Sequence, residues 1–97
     1  MTLRVQKYGG SSLATSKALC DVAQRISDAS QHGDRIVGVV SAMGESTNHL
    51  IQLASEVSDS PDPREMDVLL STGELVSCTL LAMALRSLGR GAVSLSG

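Results

Sequence analysis

The sequence predicts an α/β protein in which short parallel strands alternate with amphipathic helices. The residues from Arg35 to Ser41 form a nearly continuous apolar run, as expected for a strand that is buried on both faces. A β-prone run from Leu3 to Tyr8 precedes it. Between the two runs, apolar residues recur at three- and four-residue steps, which is helical spacing. A strand–helix–strand unit of this kind predicts a parallel pair joined by a right-handed crossover.

The first strand leads from Lys7 into a glycine turn, Gly9-Gly10-Ser11-Ser12, and helical spacing begins directly afterwards. Glycines let the backbone approach a ligand closely, and the N–H groups at a helix start point at negative charge. Lys7 adds a mobile ammonium that can reach a phosphate. Because the lysine precedes the glycines, the segment is not a Walker loop, and it is not the G-x-G-x-x-G fingerprint either. The turn therefore predicts an anion site of another kind.

Three further helices and a third strand follow the first helix. Thr15 or Ser16 can cap that first helix, which runs to about Ser30, and Gly33 follows as its C-terminal stop. A second strand-to-helix turn spans Ser41 to Thr47. The later predicted elements are helices over 48–57, 64–70 and 75–88, with a break at 71–74 between the last two, and a strand over 92–95.

The predicted helix over 75–88 is the most apolar stretch of the chain. Its apolar residues cover more than one face, so we expect it to be buried on two sides. If one side is left uncovered, we expect association with a second copy of the chain or with a complementary segment. Cys20 and Cys78 each lie in an apolar helical pattern, which predicts buried free thiols rather than a disulfide or a metal pair.

The composition excludes several classes of function. The net charge is −2, and acidic and basic residues are interspersed, so no basic stripe for nucleic acid is present. The chain begins with no basic-then-apolar signal segment, and no uninterrupted apolar run suggests a membrane span. We therefore expect one small, cytoplasmic domain without a nucleic-acid or membrane partner.

Three segments lie where predicted strands end. In open parallel sheets, ligands bind outside the carboxyl ends of the strands. The edges that this chain offers are Gly9 to Ser12, Ser41 to Thr47, and Ser96-Gly97. Because the third strand would end with no loop or helix after it, we expect the domain to be incomplete.

Three collinear segments also resemble a known family. They are Val5 to Ser12, Val40 to Gly44, and Arg64 to Glu74. In residue identity, order and spacing, over essentially the whole chain, they resemble the N-terminal part of the aspartokinases, within the amino acid kinase family. The resemblance implies a partial three-layer α/β/α sandwich with a mostly parallel sheet. It also implies phosphoryl transfer from ATP, with Mg²⁺, to the side-chain carboxylate of L-aspartate.

On the phosphate side, the resemblance implies four residues. Lys7 matches the lysine that stabilises the transferred phosphoryl group, and Gly9, Gly10 and Ser11 match the phosphate-contacting turn. Phosphoryl transfer needs charge neutralisation and positioning more than covalent chemistry, so a lysine beside a turn of backbone amides suits the reaction.

On the acceptor side, the resemblance implies three residues. Ser41 and Thr47 match polar residues that hold the aspartate, and Glu74 matches the glutamate that receives the substrate's ammonium. In the predicted helix pattern Glu74 lies near a helix start, where a carboxylate is stabilised by the helix dipole. Structural roles without ligand binding also stay open: Ser41 and Thr47 as turn and cap residues, and Glu74 as an ordinary acid of a first helical turn.

Two residues beside the acceptor segment depart from the family pattern. Leu75 stands where many aspartokinases carry arginine, and Thr72 replaces a common alanine. A kinase acting on another amino-acid acceptor, or a short non-catalytic binding or assembly module, therefore stays open. The resemblance further implies that residues 1–97 are the N-terminal segment of a kinase domain. The nucleotide-binding part and the C-terminal regulatory ACT domains would then be absent, and the isolated chain inactive.

Overall fold

The computed structural model describes residues 2–95, so the third predicted site edge, Ser96-Gly97, lies outside the described residues. Two strands and three α-helices form the described part, with a short 3-10 helix at Gly10–Leu13. In chain order the strands and α-helices are β1 (Leu3–Tyr8), α1 (Ser16–Ser30), β2 (Arg35–Val40), α2 (Ser46–Val57) and α3 (Pro63–Ser87).

The two strands pair in parallel, as predicted, in a register that runs from Leu3 opposite Arg35 to Tyr8 opposite Val40. Because side chains alternate along a strand, this register gives the small sheet two distinct faces. One face packs against the helices through Tyr8, Ile36 and Val40.

The other face of the sheet is uncovered within residues 2–95. It carries Leu3, Val5, Val37 and Val39, which are all exposed, and Val39 retains 45% of its accessible surface. The prediction that the second strand is buried on both faces is therefore wrong for this part of the chain. Only Ile36 and Val40 of that strand are partly buried and packed on the core.

The core lies between α1 and α3. α1 contributes Leu19, Val22, Ala23 and Ile26, and α3 contributes Leu81 and Leu85. The helical spacing that predicts α1 is confirmed, and so is its cap: the Thr15 hydroxyl accepts a hydrogen bond from the Ala18 N–H at 3.1 Å.

α3 is one continuous helix, so the predicted break at 71–74 is wrong. The hydroxyls of Ser71 and Thr72 donate to the carbonyls of Val68 and Leu69, each at 2.6 Å. These polar side chains are thus satisfied inside the helix and do not end it. The predicted start is confirmed, because the Asp62 carboxylate caps the helix by accepting from the Glu65 N–H at 3.0 Å.

The two sides of α3 differ in burial. Ser77, Leu81 and Leu85 are buried on one side, whereas Val76 and Met83 on the opposite side are exposed, Met83 at 62%. Burial on two sides is thus not found within residues 2–95. α3 is long enough to cross a membrane, and an 18-residue window within it has a mean hydropathy of 1.8, although the chain shows no uninterrupted apolar run of that length. This is weak evidence for a membrane span, because core helices of soluble proteins have the same length and composition. In the described part of the chain, α3 packs on α1 through Leu81 and Leu85.

Two smaller predictions are corrected. Residues 91–95 form no strand, although they and β2 line the same cavity of about 720 Å³. Cys20 is exposed and Cys78 half-buried, and both are free thiols. Cys20 is exposed because it lies on the solvent side of α1, beside the buried Leu19.

Candidate functional site

The turn after β1 leaves several donors free. Lys7 is exposed on the uncovered face of the sheet, and within residues 2–95 its ammonium makes no salt bridge or hydrogen bond. The Ser12 N–H donates to the Gly9 carbonyl at 3.1 Å, which closes the turn. The N–H groups of Gly10 and Ser11 donate to no acceptor in the described part. One ammonium and two backbone donors therefore lie within five residues of chain.

The helix that follows this turn begins at Ser16, directly after the predicted cap residue Thr15. Residues from Gly10 form a single 3-10 turn before it. The free amides of the turn therefore belong to a short loop structure, and the N-terminus of α1 is occupied by its own Thr15 cap.

The loop after β2 is hydrogen-bonded to the turn after β1. The Ser41 N–H donates to the Tyr8 carbonyl at 3.2 Å, and the Gly44 N–H donates to the Gly10 carbonyl at 3.4 Å. Gly44 has a φ of 42°, and a Cβ at this residue would lie 3.1 Å from the carbonyl oxygen of Ala14. The two loops are in direct contact because this position lacks a side chain.

α3 contacts the loop after β2 at Gly73. A Cβ on Gly73 would lie 3.0 Å from the Cβ of Ala42, so the helix backbone approaches the second loop very closely. Glu74 follows directly and is exposed, without an ion pair among the described residues. The structure therefore brings the three segments that carry predicted site residues together at one edge of the sheet.

Within the part of the chain that the structure describes, no hydrogen bond or salt bridge joins the side chains that are predicted to bind a ligand. Thr47 is exposed in the first turn of α2, and within residues 2–95 no hydrogen bond joins it to Lys7, Ser41 or Glu74. Glu74 lies in the interior of α3, so its reading as an acid of a first helical turn is wrong, and so is the dipole argument attached to it. Because Glu74 is exposed at this position, its carboxylate is accessible to a ligand.

The site is an open edge rather than an enclosed cavity. The cavity of about 720 Å³ is lined by β2, the second half of α3 and residues 90–95, and none of the predicted ligand-contacting side chains lines it. A smaller cavity of about 280 Å³ lies between the end of α2 and the start of α3, again away from them. Residues 2–95 hold no group of three side chains suited to binding a metal ion.

Comparison with known proteins assigns the family. The family model described as the amino acid kinase family matches residues 2–96. The chain belongs to the amino acid kinase family. Over its whole length it is 52% identical to an aspartokinase from Mycolicibacterium smegmatis and 50% identical to one from Geobacillus stearothermophilus.

A solved structure agrees with this assignment. The aspartate kinase from Synechocystis superposes on 96% of this chain with a TM-score of 0.93 and 52% sequence identity. The α/β fold predicted for the chain, similar to that of the amino acid kinases, is thereby confirmed. The chain spans 23–24% of the length of the two curated relatives and 16% of the Synechocystis chain.

Sequence reasoning missed the residues that hold the three segments together. Ala42 and Gly73 lie in segments that carry the family resemblance, but their contact was not anticipated. A signal existed: a glycine inside an apolar helix costs about 1 kcal/mol relative to alanine and so indicates a packing reason. Because residues 71–74 were predicted to be a break between two helices, Gly73 was attributed to that break and not to close packing.

Proposed function

We propose that this chain supplies the acceptor side and the phosphate lysine of an ATP-dependent aspartate kinase, as the N-terminal segment of its kinase domain. The observation that carries the proposal is that three segments meet at one edge of the sheet. It is supported by the sequence identity of 50–52% between this chain and two aspartokinases. The product would be 4-phospho-L-aspartate. This reaction opens lysine, threonine and methionine synthesis, and we expect it in the cytoplasm.

The chemistry assigns separate tasks to the residues at this edge. A side-chain carboxylate oxygen of aspartate attacks the γ-phosphorus of ATP, a new P–O bond forms, and the bond to the bridging oxygen of ADP breaks. Lys7 and the free amides of Gly10 and Ser11 are suited to negative charge on the transferred group. A preorganised donor of this kind typically contributes a 10²–10³-fold effect on rate.

The acceptor would be held by polar and acidic groups. The Glu74 carboxylate, free of any ion pair among the described residues, is suited to the aspartate ammonium. The hydroxyls of Ser41 and Thr47 can donate to a carboxylate. Their side chains are not bonded to one another, which leaves them available for a ligand.

ATP binding would need parts of the protein beyond these residues. The exposed ammonium of Lys7 and the adjacent amides fit the phosphate end of a nucleotide. Mg²⁺ would neutralise charge on the phosphates. Since residues 2–95 lack a three-ligand metal cluster, we expect the nucleotide phosphates and other residues to hold this ion. We therefore expect the isolated 97-residue chain to be inactive.

The test is an acceptor assay on the complete natural gene product that contains these residues. Incubation with Mg-ATP and L-aspartate, with hydroxylamine as a trap, should yield the aspartyl hydroxamate. L-glutamate and N-acetylated amino acids serve as alternative acceptors. Phosphorylation of one of these in preference to aspartate would support a different acceptor kinase. Absence of transfer to any acceptor would support the non-catalytic module instead.

We further propose that the outer face of α3 is covered by a second copy of the protein or by a complementary kinase segment. Leu75, Val76, Leu80 and Met83 form this exposed apolar face. Apolar patches of this kind mark interaction surfaces. Sedimentation of the complete gene product should show a dimer or larger assembly. A monomer at high concentration would instead indicate cover by another segment of the same protein.

A further inference from the structure

Ala42 is confined from two sides by residues of two other segments. Its Cβ faces the backbone of Gly73 in α3, where an added Cβ would lie 3.0 Å away. Its carbonyl oxygen faces Gly10, where an added Cβ would lie 3.4 Å away. Ala42 itself is buried, with 7% of its surface accessible. One small residue thus separates the turn after β1 from α3.

The second loop cannot easily move out of this position. The Ser41 N–H is bonded to Tyr8, and the Gly44 N–H is bonded to Gly10. At Gly44 the loop also lies against the Ala14 backbone, with room for no side chain. A larger group on the α3 side would therefore push α3 and the loop apart, because the opposite side of the loop already contacts the backbone of the segment after β1.

The contact lies between the two residues that the acceptor would bridge. Ser41 precedes Ala42, and Glu74 follows Gly73. Because each pair is joined by one peptide bond, we expect a change in the separation of Ala42 and Gly73 to change the separation of Ser41 and Glu74 as well. Outside these segments of the described chain, an added Cβ on Gly33, Gly89 or Gly91 meets nothing within 4 Å, and one on Gly38 makes only an ordinary contact at 3.8 Å, so the crowding is confined to the site.

We propose that Ala42 and Gly73 are a positioning pair whose methyl-to-backbone contact sets the distance between Glu74 and the second loop, and thereby the length of acceptor that fits. This inference rests on the proposed kinase function. In this proposal both residues act through their neighbours and not by direct contact with the substrate. Their contact fixes the two groups that do touch it, so that the acceptor's ammonium and carboxylates are held at one separation.

The test moves one methyl group across the contact in the complete gene product. Gly73→Ala adds the methyl, Ala42→Gly removes its partner, and the double variant Ala42→Gly/Gly73→Ala keeps a single methyl between the two backbones. Gly91→Ala is the matched control, because the same change there meets open space.

We expect Gly73→Ala to raise the KM for the acceptor at least tenfold while the KM for ATP stays within twofold. The double variant should recover most of the acceptor affinity, and Gly91→Ala should behave as the wild type. An unchanged acceptor KM in Gly73→Ala would overturn the proposal, as would equal changes in both KM values or a double variant no better than Gly73→Ala.

Thermal unfolding separates this inference from the proposed function. Gly73→Ala should lower the Tm even though alanine favours a helix, and the double variant should regain it, whether or not the protein phosphorylates aspartate. Activity on another amino acid would refute the aspartate assignment while the acceptor KM series still applies to that substrate. If the wild type transfers to no acceptor, both the kinase function and the positioning role fail, and the Tm series reports on the contact alone.

Discussion

The two faces of the β1–β2 sheet differ in what covers them. Tyr8, Ile36 and Val40 pack onto the α1–α3 core, whereas Leu3 and Val5 on the opposite face are 63% and 68% exposed. Lys7 belongs to the exposed face. The covered face therefore holds the fold together through apolar burial. The open face carries the residue proposed to meet a phosphate, together with apolar surface suited to further protein.

The largest effect is expected from removing the charge on the open face. Lys7→Met should lower the kcat of the complete gene product by about 10³-fold, because a preorganised donor to the transferred group is lost. The Tm should change little, since the exposed Lys7 ammonium makes no salt bridge or hydrogen bond within residues 2–95. Lys17→Met is the control, as Lys17 only pairs with Asp21 at 3.4 Å on the surface of α1. Equal kcat in wild type and Lys7→Met would remove Lys7 from the mechanism.

The next largest effect is expected from a substitution in the core beneath the covered face. Leu19→Ala should cost about 3 kcal/mol of unfolding free energy, because it leaves a cavity in the α1–α3 core. Val5→Ala on the open face should cost less than about 0.5 kcal/mol in the 97-residue chain, as for exposed substitutions. Urea denaturation measures both.

The same pair of variants tests what covers the open face in the complete gene product. If further protein covers the open face there, Val5→Ala should cost about 1 kcal/mol or more, since buried methyl groups are then lost. Equal costs for Leu19→Ala and Val5→Ala in the 97-residue chain would contradict the division between the two faces.

The covered side of the molecule was predictable from sequence in most respects. Periodicity gave α1 and its Thr15 cap, and the apolar runs gave both strands and their parallel pairing. These features depend on residues close in sequence. Burial of the second strand on both faces was not predicted correctly. An apolar run indicates that both faces of a strand can be buried, but it does not show whether another part of the protein covers each face.

The candidate site was predictable in its residues but not in its assembly. The order of motifs indicated which segments belong together. The contact that joins them depends on Ala42 and Gly73, which are distant in sequence and have no side-chain chemistry to reveal them. Reading residues 71–74 as a turn also misplaced Glu74, because serine, threonine and glycine are typical of turns. In α3 the two hydroxyls bond within the helix instead.

A smaller effect concerns the exposed side of α3. Met83→Glu should weaken self-association of the complete gene product at least tenfold, because a charge would enter an apolar contact. Analytical ultracentrifugation over a concentration series measures this. Asp67→Asn, an exposed change in the same helix, is the control. If Met83→Glu associates as tightly as the wild type, the outer face of α3 is not the interface.

The smallest effect concerns an ion pair at the start of the sheet. Asp34 lies 2.8 Å from Arg4, whose side chain is 56% exposed, and also accepts from the Thr2 N–H at 3.3 Å. The Asp34 side chain is 14% exposed, but its partner is largely in solvent, so Asp34→Asn should cost about 1 kcal/mol, the upper end of the range for surface pairs. A loss above about 2 kcal/mol in thermal unfolding would show that this pair anchors β1 more strongly than its exposure indicates.

The three segments are proposed to form one site that holds an amino acid by its ammonium. Competition binding of L-aspartate and of succinate, which lacks the ammonium, to the complete gene product tests this proposal. The wild type should prefer L-aspartate by about 10–100-fold, the range expected for a charge-assisted hydrogen bond. Glu74→Gln should lose that preference by weakening aspartate binding, with succinate affinity nearly unchanged. A preference that survives in Glu74→Gln would contradict the proposal.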